Sequence, residues 1–514
     1  MSDHAPVTPA PDAPTLPAGV PDPALGEYAP GQTVALTDAE RWPTLTHAGS
    51  ERLAAVRGHP SAPQWVHECG DRLRPADHAR LAALAGELDA GVSRSRGADP
   101  GEPAWLEPFL DRVQAVVPRY RAVARLDGHR RRGLADFAPV AREDLARSLA
   151  EFVPVDVPLD RVLEGSSSGS TGAAVVVPLH PVSTAGEVVM LRHLAAQVGV
   201  VWEADPDRLA LANVVDQRAA FTYVSALTAL TAVTDPAGAA GGEPTMARIN
   251  LHAAAWRDVA DRAGFLEAMN PQVLSSSPLP LLTLADLGLD LSPLVVFSGA
   301  AHLTPVARER ARATWGAPVI DVYGSREAGL LAADLDGGRV PSEHVVLPRR
   351  VHVEILDGAG DPVPDGARGE VTVTVDDNPY LPLVRYRTGD TAALRRDRRP
   401  DGSWVTVLLG LEGRSPVRFR TAAGTWVPSV DATQVLQAYG VAAWHLHQAA
   451  DEAVRLVALV GAGEAGKAAA RDAADAVSRL LGRPVPVIPV ERPGALGAGA
   501  KRRFSTDLGS GAGT

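Results

Sequence analysis

Residues 164–180 read EGSSSGSTGAAVVVPLH, and every position from 165 to 172 is Ser, Thr or Gly. Such a stretch has three readings: a flexible linker, a hydrolase nucleophile elbow, or a loop that holds phosphate. A linker is flanked by polar, low-complexity sequence. This one runs straight into AAVVVPL, the signature of a buried strand. GSSSG (165–169) fits G-x-S-x-G with Ser167 at its centre. An elbow, however, turns from a strand into a helix; here a strand follows, and no Ser/Asp/His order stands out. The phosphate reading fits best. Gly169 and Gly172 let the backbone turn its N–H groups inward, and the Ser and Thr hydroxyls add donors. A Walker A loop would need Gly-Lys-Ser/Thr, which is absent, so phosphate is held by another design.

The surrounding sequence sets the fold class. Residues 1–35 are rich in Pro and Ala and predict a disordered tail. From 36 to about 150, segments such as ADHARLAALAGELDAGV carry apolar residues at helical spacing. Beyond 165, strands alternate with helices: AAVVVPL, the helix AGEVVMLRHLAAQVGV, the strand PLVVFSG, the helix TPVARERARATWG and the strand APVIDVYG. That alternation predicts an α/β fold with a substantial sheet. Residues 349–375 predict hairpin strands. From about 414 a small α+β unit restarts, with AAWHLHQAA, AVRLVALVG, the helix EAGKAAARDAADAVSRLLG and PVPVIPV. The predicted divisions are a tail (1–35), a large N-terminal domain (36–413) and a mobile C-terminal domain (414–514).

Composition removes several classes. The 514 residues carry 50 basic and 61 acidic side chains, a net charge of −11. With the basic residues scattered, no nucleic-acid footprint is expected, and GHRRRG (128–133) reads as a solvated turn. Cys69 is the single cysteine, so no intrachain disulfide or Cys-rich zinc site is expected. The start, MSDHAPVTPAPDAP, has acids where a signal peptide has basic and apolar regions, and no long uncharged apolar run appears. The expectation is a cytoplasmic protein away from the membrane. Lys467 and Lys501 are the only lysines. Lysine is a compact point charge and arginine a planar fork, so a retained lysine points to a task arginine cannot do.

Four motifs occur in order: SSSGSTG (166–172), VYGSREAG (322–329), PLVRYRTGD (382–390) and LEGR (411–414). Together they resemble the adenylate-forming superfamily of acyl-CoA synthetases, peptide-synthetase adenylation domains and luciferases. Within it the chain is most similar to phenylacetate–CoA ligases, to which MNPQVLSSSPLPLLTLADLG and VVFSGAAHLTP also bear likeness. The resemblance spans about 105–505. It implies a large adenylate-forming N-terminal domain of packed sheets and helices with a small α+β C-terminal domain. It further implies ATP and Mg²⁺, a small carboxylic acid substrate, expected to be aromatic, and coenzyme A as acceptor. The partners left open are a second copy in a homodimer and a carrier protein.

By this resemblance Ser167, Ser168, Gly169, Ser170, Thr171 and Gly172 wrap the leaving phosphates. Tyr323 and Gly324 lie by the adenine, and Glu327 holds Mg²⁺, a hard cation that favours carboxylate oxygen. Asp390 takes both ribose hydroxyls and Arg414 sits by the ribose at the domain junction. Lys501 in PGALGAGAKRRF (493–504) falls where a C-terminal lysine reaches the substrate carboxylate and α-phosphate, although matching the following arginine would put Gly499 there instead. The acyl site is expected from 221–230 and 296–302, whose few charges suit an apolar acid.

Three positions depart from the family pattern. Arg326 replaces a phosphate-binding threonine, and its guanidinium would either neutralise phosphate more strongly or block the usual geometry. Ala173 follows Gly172 where a lysine is usual. Pro416 stands at the hinge and fixes φ near −65°, which bears on the second half-reaction more than the first. Two rival functions share these residues: adenylation with a non-CoA acceptor, including nitrite activation as in ATP-dependent diazotases, and a degenerate, non-catalytic nucleotide-binding homologue. A third is a serine hydrolase using Ser167. LVALVGAGEAG (456–466) contains G-x-G-x-x-G, but too few residues follow it for a dinucleotide domain. His445 and His447 can share a strand face and lack a third metal ligand.

Overall fold

The computed structural model describes residues 36–91, 94, 101–121, 133–166, 176–217, 220, 222–234, 243–337, 339, 341–413, 417–439, 441–496 and 504–508. A twelve-stranded sheet dominates it. The strands Thr245–Asn250, Leu211–Val215, Val273–Ser276, Val295–Ser298 and Val319–Ser325 run parallel in that spatial order, with Tyr223–Ala226 antiparallel at one edge. These strands are short and mostly buried because both faces are covered. Val295 and Phe297 enter one core with the helix Pro181–Gln197, while Val296 enters the other with Leu274 and Val319.

At Val319–Ser325 the sheet changes character. A three-residue turn returns the chain as Gly329–Asp334, and from there the pairing is antiparallel through Glu343–Val346, Trp404–Glu412, Leu383–Arg398, Arg368–Val375 and Val351–Leu356. Gly324 is required where the two arms meet, since a Cβ there would lie 2.5 Å from the Gly329 carbonyl oxygen. The last parallel strand thus ends where the pairing passes from parallel to antiparallel, at the carboxyl ends of the parallel strands, the side on which open α/β sheets present ligand sites.

The predicted alternation of strands and helices after 180 is reproduced, and the fold class is the expected mixed α/β one. A separate four-stranded sheet, Val487–Val490, Val454–Leu459, Ala443–Gln448 and Phe504–Thr506, packs on the helices Ser429–Gln437 and Glu464–Leu481 around its own core. It docks on the large unit through Leu459 and Leu496, which join Leu284 and Leu303, and through Thr304 Oγ1, which donates to the Ala442 carbonyl at 2.6 Å.

The structure corrects or explains four local readings. AAVVVPL is not a fully buried strand. Val176–Leu179 pairs antiparallel with Leu163–Ser166 in a two-stranded hairpin, and Val176 is exposed; a two-stranded ribbon covers one face only. The Ser/Gly loop therefore joins two strands of one hairpin, and the helix Pro181–Gln197 begins only after the second, which is not the elbow arrangement. In the G-x-G-x-x-G run, a Cβ on Gly466 would fall 1.8 Å from the Gly461 oxygen, so close packing of a loop on a helix explains the glycine. His445 and His447 do share a face, and both meet Ser505 Oγ, at 2.9 and 2.8 Å. Among the described residues no group of three or more His, Cys, Asp or Glu is placed to hold a metal.

Cys69 packs into the core beside Val224, whose carbonyl lies 3.6 Å from its sulfur, and burial pushes its thiol up to about 12. The thiolate is the reactive form. The native protein is therefore expected to react with a disulfide reagent at pH 8 at least about 10²-fold more slowly than free cysteine, with the full rate returning in denaturant. Equal rates before and after unfolding would contradict this.

Candidate active site

The site is assembled where the last parallel strand ends. Tyr323 is buried there, and its hydroxyl donates to Asp390 Oδ2 at 2.9 Å and lies 3.2 Å from Thr388 Oγ1. Asp390 comes from a different strand, and the local sequence explains how it reaches. Between the pairs Thr391↔Glu370 and Arg387↔Thr372 the two strands advance unequally, so residues 388–390 bulge out of the ladder. Gly389 takes φ of +81°, and the Asp390 N–H closes the bulge on Thr388 Oγ1 at 3.1 Å. Bulges re-aim side chains in this way. The other oxygen, Oδ1, lies 3.9 Å from where a Cβ would stand on Gly413, so LEGR passes directly beside Asp390.

Glu327 lies in the turn that follows Tyr323, with its side chain 1% exposed, and Arg142 Nη1 stands 3.4 Å from its Oε1. Arg142 opens the helix Arg142–Ser148 and was given no role from sequence. Beside Glu327 is a small cleft open to solvent, with walls from Arg326, Glu327 and Gly329, from Ser183 and Glu187 on the helix Pro181–Gln197, and from Asp377. Glu187 reaches solvent through this cavity. The surrounding protein still pushes its carboxyl above the ordinary range, partly offset by Arg326. Burial likewise raises Asp377, opposed by Arg349 at 3.7 Å. Sequence reasoning missed Glu187, yet a signal existed: it is the single acid in an otherwise largely apolar helix.

Asn378 ties the Ser/Gly hairpin to this cavity. Its side chain donates to the Pro178 carbonyl at 2.8 Å and accepts from the His180 N–H at 3.2 Å. Ser183 Oγ donates to the Asp377 carbonyl at 3.0 Å. The foot of the hairpin is thereby fixed next to Arg326 and Glu327.

Of the residues singled out from sequence, Tyr323 meets Asp390, Arg326 and Glu327 line the cavity, and Gly324 lies between them in the chain. Ser167, Ser168, Gly169, Ser170, Thr171 and Gly172 lie outside the described residues, as do Ala173, Arg414, Pro416, Gly499 and Lys501. The segments expected to form the acyl site do not line the cavity. Ser225 accepts from Trp42 Nε1 and Thr228 donates to Asp71, so part of that region serves core packing. Ser298 is fully buried at the end of its parallel strand. The donor set suits Mg²⁺, which binds through one or two carboxylates and takes its other ligands from phosphates and water; Glu327 provides one such carboxylate.

Comparisons with known proteins bear on this arrangement. The family described as AMP-binding enzyme matches residues 175–376, from the second arm of the hairpin through Tyr323 and Glu327. The match covers residues 175–376, about two fifths of the chain. A phenylacetate-coenzyme A ligase of Aromatoleum evansii is 28% identical over 161 residues, covering 29% of this chain and 35% of the relative. The chain therefore matches about a third of that ligase's length. Among solved structures, a 2-hydroxyisobutyryl-CoA ligase in the postadenylation state, in complex with its R3-HIB-AMP ligand, superposes with a TM-score of 0.53 at 18% identity, covering 84% of this chain and 89% of that one. This likeness shows the fold, a large N-terminal and a smaller C-terminal domain.

On an adenylate-forming reading the Tyr323 hydroxyl has a measurable role. Tyr323→Phe removes the hydroxyl that holds one Asp390 oxygen, a net loss of about 0.5–1.5 kcal/mol for such a bond. The KM for ATP is expected to rise about 2- to 10-fold with Tm little changed, as steady-state kinetics would show. An unchanged KM would mean Asp390 is positioned without Tyr323.

Proposed function

We propose that the chain is an ATP-dependent ligase that activates a carboxylic acid, an aromatic one by preference, as its acyl-adenylate and transfers the acyl group to coenzyme A. The observation that carries this reading is the 2.9 Å hydrogen bond between Tyr323 and Asp390. It joins two motifs 67 residues apart in the chain, four residues before Glu327, where the sheet passes from parallel to antiparallel pairing.

In the first half-reaction a substrate carboxylate oxygen attacks the α-phosphorus of ATP. The bond from that phosphorus to the bridging oxygen breaks and pyrophosphate leaves. Asp390 holds the ribose hydroxyls, which fixes the α-phosphorus relative to the acid, and alignment of this kind supplies much of the rate in phosphoryl-type transfers. Residues 167–172 receive the leaving phosphates and Arg326 adds a guanidinium beside them. Mg²⁺, held by Glu327, would neutralise developing phosphate charge. In the second half-reaction the thiol sulfur of coenzyme A attacks the acyl carbonyl, AMP leaves and the thiol proton passes to solvent. Division of the chain at 413/414, with Pro416 at the hinge and Lys501 carried on the C-terminal domain, belongs to the same reading.

A second reading keeps the adenylation and changes the acceptor or the anion. Arg326, in the wall of the cavity, favours it, since a guanidinium there suits an added anion.

The test is pyrophosphate release with ATP and Mg²⁺ across aromatic and aliphatic acids, with and without coenzyme A. Release that depends on an aromatic acid and rises with coenzyme A is expected. Release indifferent to coenzyme A would move the account to the second reading.

A further inference from the structure

Arg142 and Glu327 are 185 positions apart, and the fold goes to some length to join them. Two residues before Arg142, Val140 is sewn into the strand that carries Asp390. Its N–H donates to the Arg385 carbonyl at 2.9 Å, and it accepts from the Arg387 N–H at 2.8 Å. Arg385 is buried, takes φ of +49°, and donates from Nη1 to the Phe137 carbonyl at 3.0 Å. A non-glycine residue held in the left-handed region costs about 1 kcal/mol or more and persists only where its surroundings over-determine it. Segment 137–142 is thus clamped to the Asp390 strand, and Arg142 is delivered from it to Glu327.

The Glu327 carboxylate is also closed off: each of its oxygens exposes less than 1 Å². A buried carboxylate needs a cation close by. Among the described residues Arg142 is a cation that stands there, at 3.4 Å and itself only 11% exposed. A divalent cation engaging the same carboxylate would bring a second positive charge against the guanidinium, and the two compete for one anion.

We propose that Arg142 is the resident counter-ion of Glu327 in the nucleotide-free protein, and that a divalent cation engages Glu327 by displacing it. The pair stabilises the free state, and whatever breaks the pair loses that much affinity. Arg142 therefore sets how much metal the site requires, and the clamp through Val140 links that exchange to the strand holding Asp390. The inference rests on the adenylation reading only in giving Glu327 the cation.

The test follows Mn²⁺ by electron paramagnetic resonance in the presence of α,β-methylene-ATP, which removes turnover from the measurement. Arg142→Gln is expected to tighten Mn²⁺ binding by about 10-fold or more, the scale on which one close charge acts on a carboxylate, while lowering the Tm of the ligand-free protein. Arg142→Lys keeps the charge and should retain most of both properties. The double variant Arg142→Gln/Glu327→Gln should recover part of the lost Tm, because no buried carboxylate is left facing an uncharged partner. Unchanged or weaker Mn²⁺ binding in Arg142→Gln, with the unaltered chain binding normally, would overturn the proposal alone. No Mn²⁺–nucleotide binding by the unaltered chain would overturn the adenylation reading and this proposal with it.

Discussion

Asp390→Ala is expected to lower kcat/KM for ATP by about 10²–10⁴. Each hydrogen bond from a hydroxyl to a carboxylate contributes about 1.5–3 kcal/mol, and Asp390 is proposed to accept two from the ribose. At about 1.4 kcal/mol per decade the pair accounts for that range. The structure adds a condition. One Asp390 oxygen is already engaged by Tyr323 at 2.9 Å, and its backbone N–H is engaged by Thr388. The carboxylate is therefore aimed before ATP arrives, and little ordering cost is left for binding. It follows that Asp390→Ala and Tyr323→Phe should not add. Once Asp390 is gone, removing the Tyr323 hydroxyl should change kcat/KM by less than it does alone. Additive losses from the two substitutions would mean that Tyr323 acts on the nucleotide independently.

The second large effect concerns Lys501. The chain has two lysines, and the structure places the other, Lys467, on the outer face of the helix Glu464–Leu481, paired with Glu464 at 3.1 Å. Lys467 is thus an ordinary surface cation. Lys501→Ala is expected to lower the rate of pyrophosphate release by about 10²–10³, the usual loss when one donor to a developing oxyanion is removed. Lys501→Arg should rescue poorly, because a planar guanidinium does not reproduce a compact ammonium. Lys467→Ala should be silent. If Lys501→Ala were also silent, the alternative alignment that puts Gly499 in the lysine position would stand, and the adenylation step would proceed without a lysine.

How much of this was legible in the sequence depended on distance along the chain. The helices and parallel strands were readable because apolar spacing is local: VVFS and VIDVYGS sit where continuous apolar runs placed them. Tyr323, Glu327 and Asp390 were readable because each lies inside a short motif. The hairpin around the Ser/Gly loop was misjudged as a buried strand, since periodicity cannot tell a two-stranded ribbon from a strand inside a sheet. Arg142 was invisible because it meets Glu327 only through the sheet, and nothing in AREDL marks it. Asp377 was invisible for the same reason: its partner Arg349 lies on another strand connection. The shared contact of His445 and His447 with Ser505 needed the pairing of Phe504–Thr506 beside Ala443–Gln448, a long-range parallel match that no local pattern specifies.

The most direct test of adenylation at this site is the identity of the nucleotide product. The chain, ATP, Mg²⁺, coenzyme A and an aromatic carboxylic acid would be incubated and the products resolved by ³¹P nuclear magnetic resonance, with Asp390→Ala in parallel. The account predicts AMP and pyrophosphate in equal amounts, dependent on the acid and lost in Asp390→Ala. ADP and orthophosphate, or AMP formation that survives Asp390→Ala unchanged, would contradict it.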